Sequence, residues 1–268
     1  MKSHMIIMST FFALQLSVSM SGYCQNATLV GPLQYFSSQD SPFTNTNFSD
    51  SFLEDFEDGQ FNTPFATVSG DGNNSFVFGP GGTVDSVDAD DGAIDGSGTG
   101  GRSFVVSPPF PTAVVEFESI DGIGLPTHVG IVWTDGQPSN QPTTTFEVFG
   151  ASGTSLGSLE AKLADGSING TTAEDAFFGA IAPNGISRIT ISNDNTSVNG
   201  IEVDHIFYGI GNVLLGDINR DGNVDLLDVS PFVDLLTEGA YQIEGDINGD
   251  GAVNLLDVAP FIELLTGG

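Results

Sequence analysis

Two stretches toward the end of the chain space their oxygen-bearing side chains in the same way. The first reads Gly216-Asp217-Ile218-Asn219-Arg220-Asp221-Gly222-Asn223-Val224-Asp225-Leu226-Leu227-Asp228, and the second reads Gly245-Asp246-Ile247-Asn248-Gly249-Asp250-Gly251-Ala252-Val253-Asn254-Leu255-Leu256-Asp257. Counted from Asp217, the oxygens fall at positions 1, 3, 5, 7, 9 and 12, on Asp217, Asn219, Asp221, the carbonyl of Asn223, Asp225 and Asp228. Counted from Asp246, they fall on Asp246, Asn248, Asp250, the carbonyl of Ala252, Asn254 and Asp257. Gly222 and Gly251 stand at position 6, where the turn is sharpest. This is the ligand frame of a calcium loop, in which one hard cation collects oxygens from alternating residues. Position 12 is Asp in both copies, where an EF-hand has Glu.

Each loop runs into a similar tail, Val229-Ser230-Pro231-Phe232-Val233-Asp234-Leu235-Leu236-Thr237 and Val258-Ala259-Pro260-Phe261-Ile262-Glu263-Leu264-Leu265-Thr266. The tails read as helices, and the copies are 29 residues apart, so the segment is a tandem repeat. No amphipathic helix precedes either loop, since only Val213-Leu214-Leu215 stands before the first. Val224 and Val253, at position 8, are expected to pair their backbones across the two copies.

A calcium loop, one following helix and a duplicate resembles the type I dockerin module. The resemblance covers residues 213–268 and implies two calcium ions and docking to a cohesin-like or other surface protein. The sequence departs from the cellulosomal pattern at positions 10 and 11. There the family has small hydroxyl residues that touch the cohesin, and here stand Leu226-Leu227 and Leu255-Leu256. The family's Lys-Arg pair is also missing, with Asp234 and Glu263 on the helices instead. Calcium binding therefore carries over better than cohesin binding of the cellulosomal kind.

Residues 1–27 hold one basic residue, Lys2, no acid, and an apolar run from Met5 to Met20, which reads as a secretory signal peptide. Tyr23 before Cys24 departs from the small residue that a lipoprotein site wants. Cys24 is the only cysteine, so no internal disulfide can form and stability must come from packing and metal. After the leader, 35 acids face four basic residues, Arg102, Lys162, Arg188 and Arg220. Such a surface repels nucleic acid and attracts divalent cations. No later stretch is apolar for long enough to span a membrane.

The elements between leader and repeats read as strands. Residues 28–50 are polar and read as a partly ordered lead-in, and 51–210 as a β-sandwich domain. Alternation places Ala113, Val115 and Phe117 inward, and likewise Val129, Ile131 and Trp133, Phe146 and Val148, Leu159, Ala161 and Leu163, and Ile189 and Ile191. Ile201–Tyr208 is apolar on both faces, and no helical period stands out before Leu226. The fold class is therefore mainly β, a secreted sandwich followed by a small α-helical pair of calcium loop–helix repeats.

The opening stretch Phe52–Gly59 and the closing stretch Gly200–Ile206 look like the first and last strands of a jelly-roll of the galactose-binding or carbohydrate-binding-module type. That resemblance puts the two strands side by side and offers Glu57 and Asp204 as ligands of a third calcium; the other reading is acids on a solvated strand face. Asp85-Ser86-Val87-Asp88-Ala89-Asp90-Asp91-Gly92-Ala93-Ile94-Asp95-Gly96 fails the calcium frame and reads as a solvated acidic turn.

Catalytic signatures are sparse. His205 alternates with core positions and reads as a buried structural histidine. Glu116 and Glu118 share a strand face, as the two carboxylates of a glycoside hydrolase must share a cleft. The sequence favours a secreted non-catalytic binding or surface-assembly protein, in the polysaccharide-breakdown setting that the dockerin resemblance implies. Two alternatives remain: a glycoside hydrolase acting on extracellular polysaccharide, and a structural cell-surface protein.

Overall fold

The computed structural model describes residues 27–70, 75–81, 84–87, 101–107, 111–136, 143–163, 175–194, 200–219 and 222–267. Among the described residues, twelve strands form two antiparallel sheets: β1 (Thr28–Gln34), β2 (Phe48–Glu54), β3 (Ala66–Gly70), β4 (Ser75–Phe78), β5 (Ser103–Val106), β6 (Thr112–Phe117), β7 (His128–Asp135), β8 (Thr144–Gly150), β9 (Ser155–Ala161), β10 (Ala176–Ile181), β11 (Ile186–Asn193) and β12 (Ile201–Gly211). The larger sheet runs β1-β10-β7-β12-β5-β4, with β2 also paired to β12; the smaller runs β3-β6-β11-β8-β9. Helices α1 (Val229–Glu238) and α2 (Val258–Thr266) follow in the repeats.

The period-2 pattern has the expected consequence. Ala113, Val115, Phe117, Val129, Ile131, Trp133, Phe146, Val148, Ile189 and Ile191 all enter one buried cluster between the sheets, with Leu159, Ala161 and Leu163 packed at its margin. Burial of this apolar surface is the main force holding the sheets face to face. The stretches expected to open and close the domain do lie together, as β2 pairs β12 from Phe48↔Gly211 to Glu54↔Ile206.

β12 carries two partners along one edge. Ile201 to Val203 pair with β5 and Ile206 to Gly211 with β2, while β7 takes the other edge. The change falls at a bulge, where His205 has φ of 41°. A non-glycine residue there is held by its surroundings. His205 is buried, its N–H is bound to the Asp204 carboxylate at 2.7 Å, and its Nδ1 lies 3.1 Å from the Tyr35 hydroxyl.

The lead-in reading of 28–50 needs correction. Thr28–Gln34 is the edge strand β1, paired to β10, and the segment behind it covers the outer face of the larger sheet. Val30, Tyr35, Phe43, Val87, Val132, Phe177 and Ile181 form a second buried cluster on that face. The larger sheet is thus covered on both sides, which is why every residue of β7 and of β10 is buried. Gly130 and Gly179 sit opposite each other in that sheet, and a Cβ on Gly130 would lie 2.3 Å from the Phe177 ring. Their lack of side chains lets Phe177 lie down on the sheet and stack on Tyr35 at 5.7 Å.

Candidate functional site

The two repeats fold alike. Position-6 glycines Gly222 and Gly251 take φ of 89° and 87°, a region that favours glycine. Position 1 then receives the turn: Asp217 Oδ2 accepts from Gly222 N–H and Asp246 Oδ2 from Gly251 N–H, both at 2.9 Å. Position 12 closes the ring from below. Asp228 accepts from Asn219 N–H (3.0 Å) and Asp225 N–H (2.9 Å), and Asp257 from Asn248 N–H (3.0 Å) and Asn254 N–H (2.9 Å). At position 9, Asp225 and Asn254 accept from Leu227 and Leu256 N–H at 2.7 and 2.9 Å.

Asp217, Asp228, Asp246 and Asp257 are buried, and a buried carboxylate is costly unless bonded or paired. Asn223 and Ala252, expected to lend carbonyl oxygens, are exposed at the turns, and Asp221 lies outside the described residues. The donor set is all oxygen, in keeping with a hard cation. Among the described residues, however, no three Asp, Glu, His or Cys side chains stand in an arrangement that would hold a metal ion. In the second loop Asp250 accepts from Ala252 N–H at 3.1 Å and from the Asn248 side-chain amide at 3.2 Å.

The expected backbone pairing of Val224 with Val253 is not present: among the described residues no main-chain hydrogen bond joins them. Their side chains instead pack around a small core of Ile218, Phe232 and Phe261. The contacts are reciprocal. A Cβ on Gly216 would meet Val224 and Leu264 of α2, and one on Gly245 would meet Val253 and Leu235 of α1. Pro231 and Pro260 sit in the first turns of α1 and α2, where no N–H is needed, and Gly239 and Gly267 end the helices in the left-handed region.

Because this core is filled by Phe, Ile and Val, the position 10 and 11 leucines are left outside. Leu226 and Leu255 are each 80% exposed, and Leu227 and Leu256 66% and 67%. Asp225, next to the first pair in the chain, is exposed, as are Asp234 on α1 and Glu263 on α2.

The repeats are fastened to the sandwich. Ile243, between the copies, enters the outer cluster of the larger sheet with Tyr241 and Val213 beside it, and its N–H donates to Thr28 Oγ1 at 2.8 Å. Burial and the nearby Asp246 push the Tyr241 hydroxyl well above its usual range.

In the sandwich, Glu57 and Asp204 do come together, around Ser86. The Ser86 hydroxyl lies 3.3 Å from Glu57 Oε1 and 3.2 Å from Asp204 Oδ2, and Asp204 also accepts from Val87 N–H at 3.0 Å. Asp85, Ser86 and Val87 are therefore buried, not part of a solvated turn; residues 88–96 lie outside the described residues. Glu202 accepts from Asp85 N–H (3.0 Å) and the Ser103 hydroxyl (2.8 Å). Burial, with Asp135 nearby, pushes its carboxyl up to about 7 against the opposing pull of those two bonds. Sequence reasoning missed Ser86 and Glu202, because the clue is a contact between residues more than a hundred positions apart.

Glu116 and Glu118 are exposed on the smaller sheet, where they border a shallow cavity of about 410 Å³ with Thr67, Ser187 and Arg188. Arg188 is opposite Glu116 in register, and its guanidinium lies 3.9 Å from the centre of the Phe149 ring. Its Nε is buried and has no hydrogen-bond partner. The alternation of inward Ile189 and Ile191 puts Arg188 on the opposite face, and a register shift between Ile186 and Arg188 lets Ile186 be buried as well.

No family model and no curated protein matches this chain. Among solved structures, it is similar to the K1 cleaved adhesin domain of Lys-gingipain from Porphyromonas gingivalis W83, at 14% identity over 61% of this chain and 100% of that one, with a TM-score of 0.39. It is also similar to a C-terminal family 22 carbohydrate-binding module of Clostridium thermocellum Xyn10B, at 11% identity over 63% of this chain and 96% of that one, with a TM-score of 0.33. A third is CsCBM6-3 from Clostridium stercorarium, solved with cellobiose, at 17% identity over 59% of this chain and 93% of that one, with a TM-score of 0.31. The likenesses are loose, and the strand pairing itself establishes that the chain is mainly β and folds as an antiparallel two-sheet sandwich ending in two short helices.

Proposed function

We propose that this chain is a secreted, non-catalytic β-sandwich binding protein whose C-terminal repeats form a calcium-dependent, dockerin-like docking module. One observation carries the reading: both repeats fold into the same hydrogen-bonded loop and hold the same leucine pair outward. Asp217, Asn219, Asp221, the Asn223 carbonyl, Asp225 and Asp228 would hold one ion. Asp246, Asn248, Asp250, the Ala252 carbonyl, Asn254 and Asp257 would hold the other. Bound calcium would neutralise carboxylates that crowd one another and so stabilise the loops. A third ion beside Glu57 and Asp204 would compete for oxygens that the Ser86 hydroxyl now bridges.

The exposed leucines suit a partner that offers an apolar slot. A second copy of this chain suits them poorly, because its acidity would repel. Export through the 1–27 leader would put the module where calcium and extracellular partners, polysaccharide among them, are met. The test is calcium titration of the full chain by calorimetry. Two ions per chain are expected, and one in Asp257→Ala; no calcium heat with the intact chain would sink the reading.

A second reading has a specific observation in its favour. The cavity that Glu116 and Glu118 share with Arg188 is where a hydrolase would have its carboxylates. Polysaccharide cleavage abolished by Glu116→Gln or Glu118→Gln would establish it in place of the non-catalytic one.

A further inference from the structure

An asparagine can lose its side-chain amide when the main-chain nitrogen of the next residue reaches its side-chain carbon, and glycine at that place obstructs the approach least. The chain has four Asn-Gly pairs, Asn169-Gly170, Asn184-Gly185, Asn199-Gly200 and Asn248-Gly249. The last stands at positions 3 and 4 of the second loop, where the first loop has Asn219-Arg220. We propose that Asn248 is a self-modification site: in a loop without calcium, the Gly249 nitrogen displaces the Asn248 side-chain amide and leaves aspartate or isoaspartate there. The reaction belongs to the chain alone, and its control by calcium rests on the calcium reading of the repeats.

The second loop presents this pair for the reaction. Asn248 and Gly249 are exposed, and a Cβ on Gly249 would meet nothing within 4 Å. Gly249 has φ of 73°, and its N–H donates to the Asp246 carbonyl at a long 3.3 Å. Asn248 Oδ1 accepts from Asp250 N–H at 2.8 Å, a turn that folds the carboxamide over the intervening Gly249 amide. The same bond aims a donor at the oxygen that turns negative as the nitrogen attacks. Asn248 Nδ2 donates to Asp250 Oδ2 at 3.2 Å, so a carboxylate stands beside the departing nitrogen. Asn184 is set differently. Gly185 is buried, its N–H donates to the Ala182 carbonyl at 3.0 Å, and a Cβ on it would lie 2.6 Å from Leu125.

The step balances with water alone. The Gly249 nitrogen bonds to Asn248 Cγ and gives up its proton. The bond from Cγ to Nδ2 breaks, and that nitrogen leaves with the proton as ammonia, with the Asp250 carboxylate placed to relay it. Water then opens the cyclic imide at either carbonyl. One opening gives aspartate, which raises the carboxylates at the ligand positions of this loop from three to four. The other gives isoaspartate, whose extra main-chain carbon stretches the frame between positions 1 and 5 and unseats the ion. Closing the imide turns the Asn248 backbone out of the loop, and bound calcium opposes that excursion with its binding energy. A docking module that has lost its calcium is thus marked in its second loop. Its first loop, with Arg220 at the matching place, is not.

The test incubates the full chain at mildly alkaline pH, in calcium and in chelator, and follows each Asn-Gly peptide by mass spectrometry with detection of isoaspartate. In chelator the amide of Asn248 should be lost while Asn184 keeps its own. Calcium at about ten times the dissociation constant of the loop should slow the loss about ten-fold, because only the empty loop reacts. A chain aged in chelator and returned to calcium should show weakened or missing heat from one site, and Asn248→Gln should age without that change. An Asn248 amide that lasts in chelator as long as that of Asn184 overturns the proposal. So does equal loss in calcium and chelator by a chain that takes up two calcium ions. A chain that takes up no calcium but converts at Asn248 upholds the site and sinks the calcium reading instead.

Discussion

Phe232 of α1 and Phe261 of α2 meet ring to ring, their centroids 4.4 Å apart and their planes at 43°. They are equivalent residues of the two repeats, and both are buried. Their contact joins the copies at the centre of a core in which, among the described residues, the one other buried apolar side chain is Ile218. Phe261→Ala should therefore cost about 3–5 kcal/mol, the usual range for a buried phenylalanine. Loss of the helical circular dichroism signal, with the β signal kept, is the expected readout. An unchanged melting curve for the helices would contradict it.

Calcium removal should act on the repeats first. With comparable geometry, the first loop has four carboxylates at its ligand positions and the second has three, because Asn254 replaces the acid of Asp225. Loop one should be the tighter site, since ligand charge helps set affinity. Chelator should raise hydrogen exchange across 222–267, and Asp228→Ala should destabilise more than Asp257→Ala. Calorimetry that ranks the two variants the other way would refute this order.

Docking and folding should separate at the leucines. Leu226→Asp and Leu255→Asp change side chains that are each 80% exposed, so stability should move by no more than about 0.5 kcal/mol. Partner capture should be lost and should be insensitive to salt in the parent chain. A large drop in melting temperature would mean that these leucines support the fold.

Glu202 gives the sandwich a pH dependence of stated sign. Its carboxyl has a value near 4.5 when free and about 7 in the folded chain, because it is buried with Asp135 nearby. Between these values the folded state keeps the proton and the unfolded state releases it. Stability is therefore greatest below about pH 4.5 as far as this group is concerned, and falls as pH rises through about 7, by on the order of 3 kcal/mol. Glu202→Gln should remove that fall and raise the melting temperature at pH 8 in chelator. A parallel pH profile for parent and variant would show that Glu202 is not the group responsible.

The alternation of apolar residues was enough to place the inward faces of β6, β7, β8 and β11, because a half-buried strand writes its environment into a period of two. The loop spacing locates two like turns with glycine at position 6, but it reads as a set of metal ligands and does not foretell the hydrogen bonds among positions 1, 3, 6, 9 and 12. The cover on the larger sheet was not legible. Tyr35, Phe43 and Phe48 lie in a Ser/Thr/Asn-rich stretch whose polarity hides three anchoring rings. The same holds for Ile243, one apolar residue between repeats, whose partner Thr28 is 215 positions away. Val224 and Val253 show the opposite error: their equivalent positions suggested a paired backbone, but filling the core with their side chains wins.

The split edge of β12 has a mechanical consequence. β12 leads straight into the first repeat, so a pull on a docked C-terminus is delivered to a strand bonded to β7 on one side and to β5 and β2 on the other. Drawn along its own axis, such a strand loads many ladder bonds together and cannot unzip them one at a time. The Ile243–Thr28 fastening should yield first, and β12 should then hold as the anchor. Force spectroscopy should record a small early event followed by a high rupture. A single low rupture would show that β12 is not the load-carrying strand.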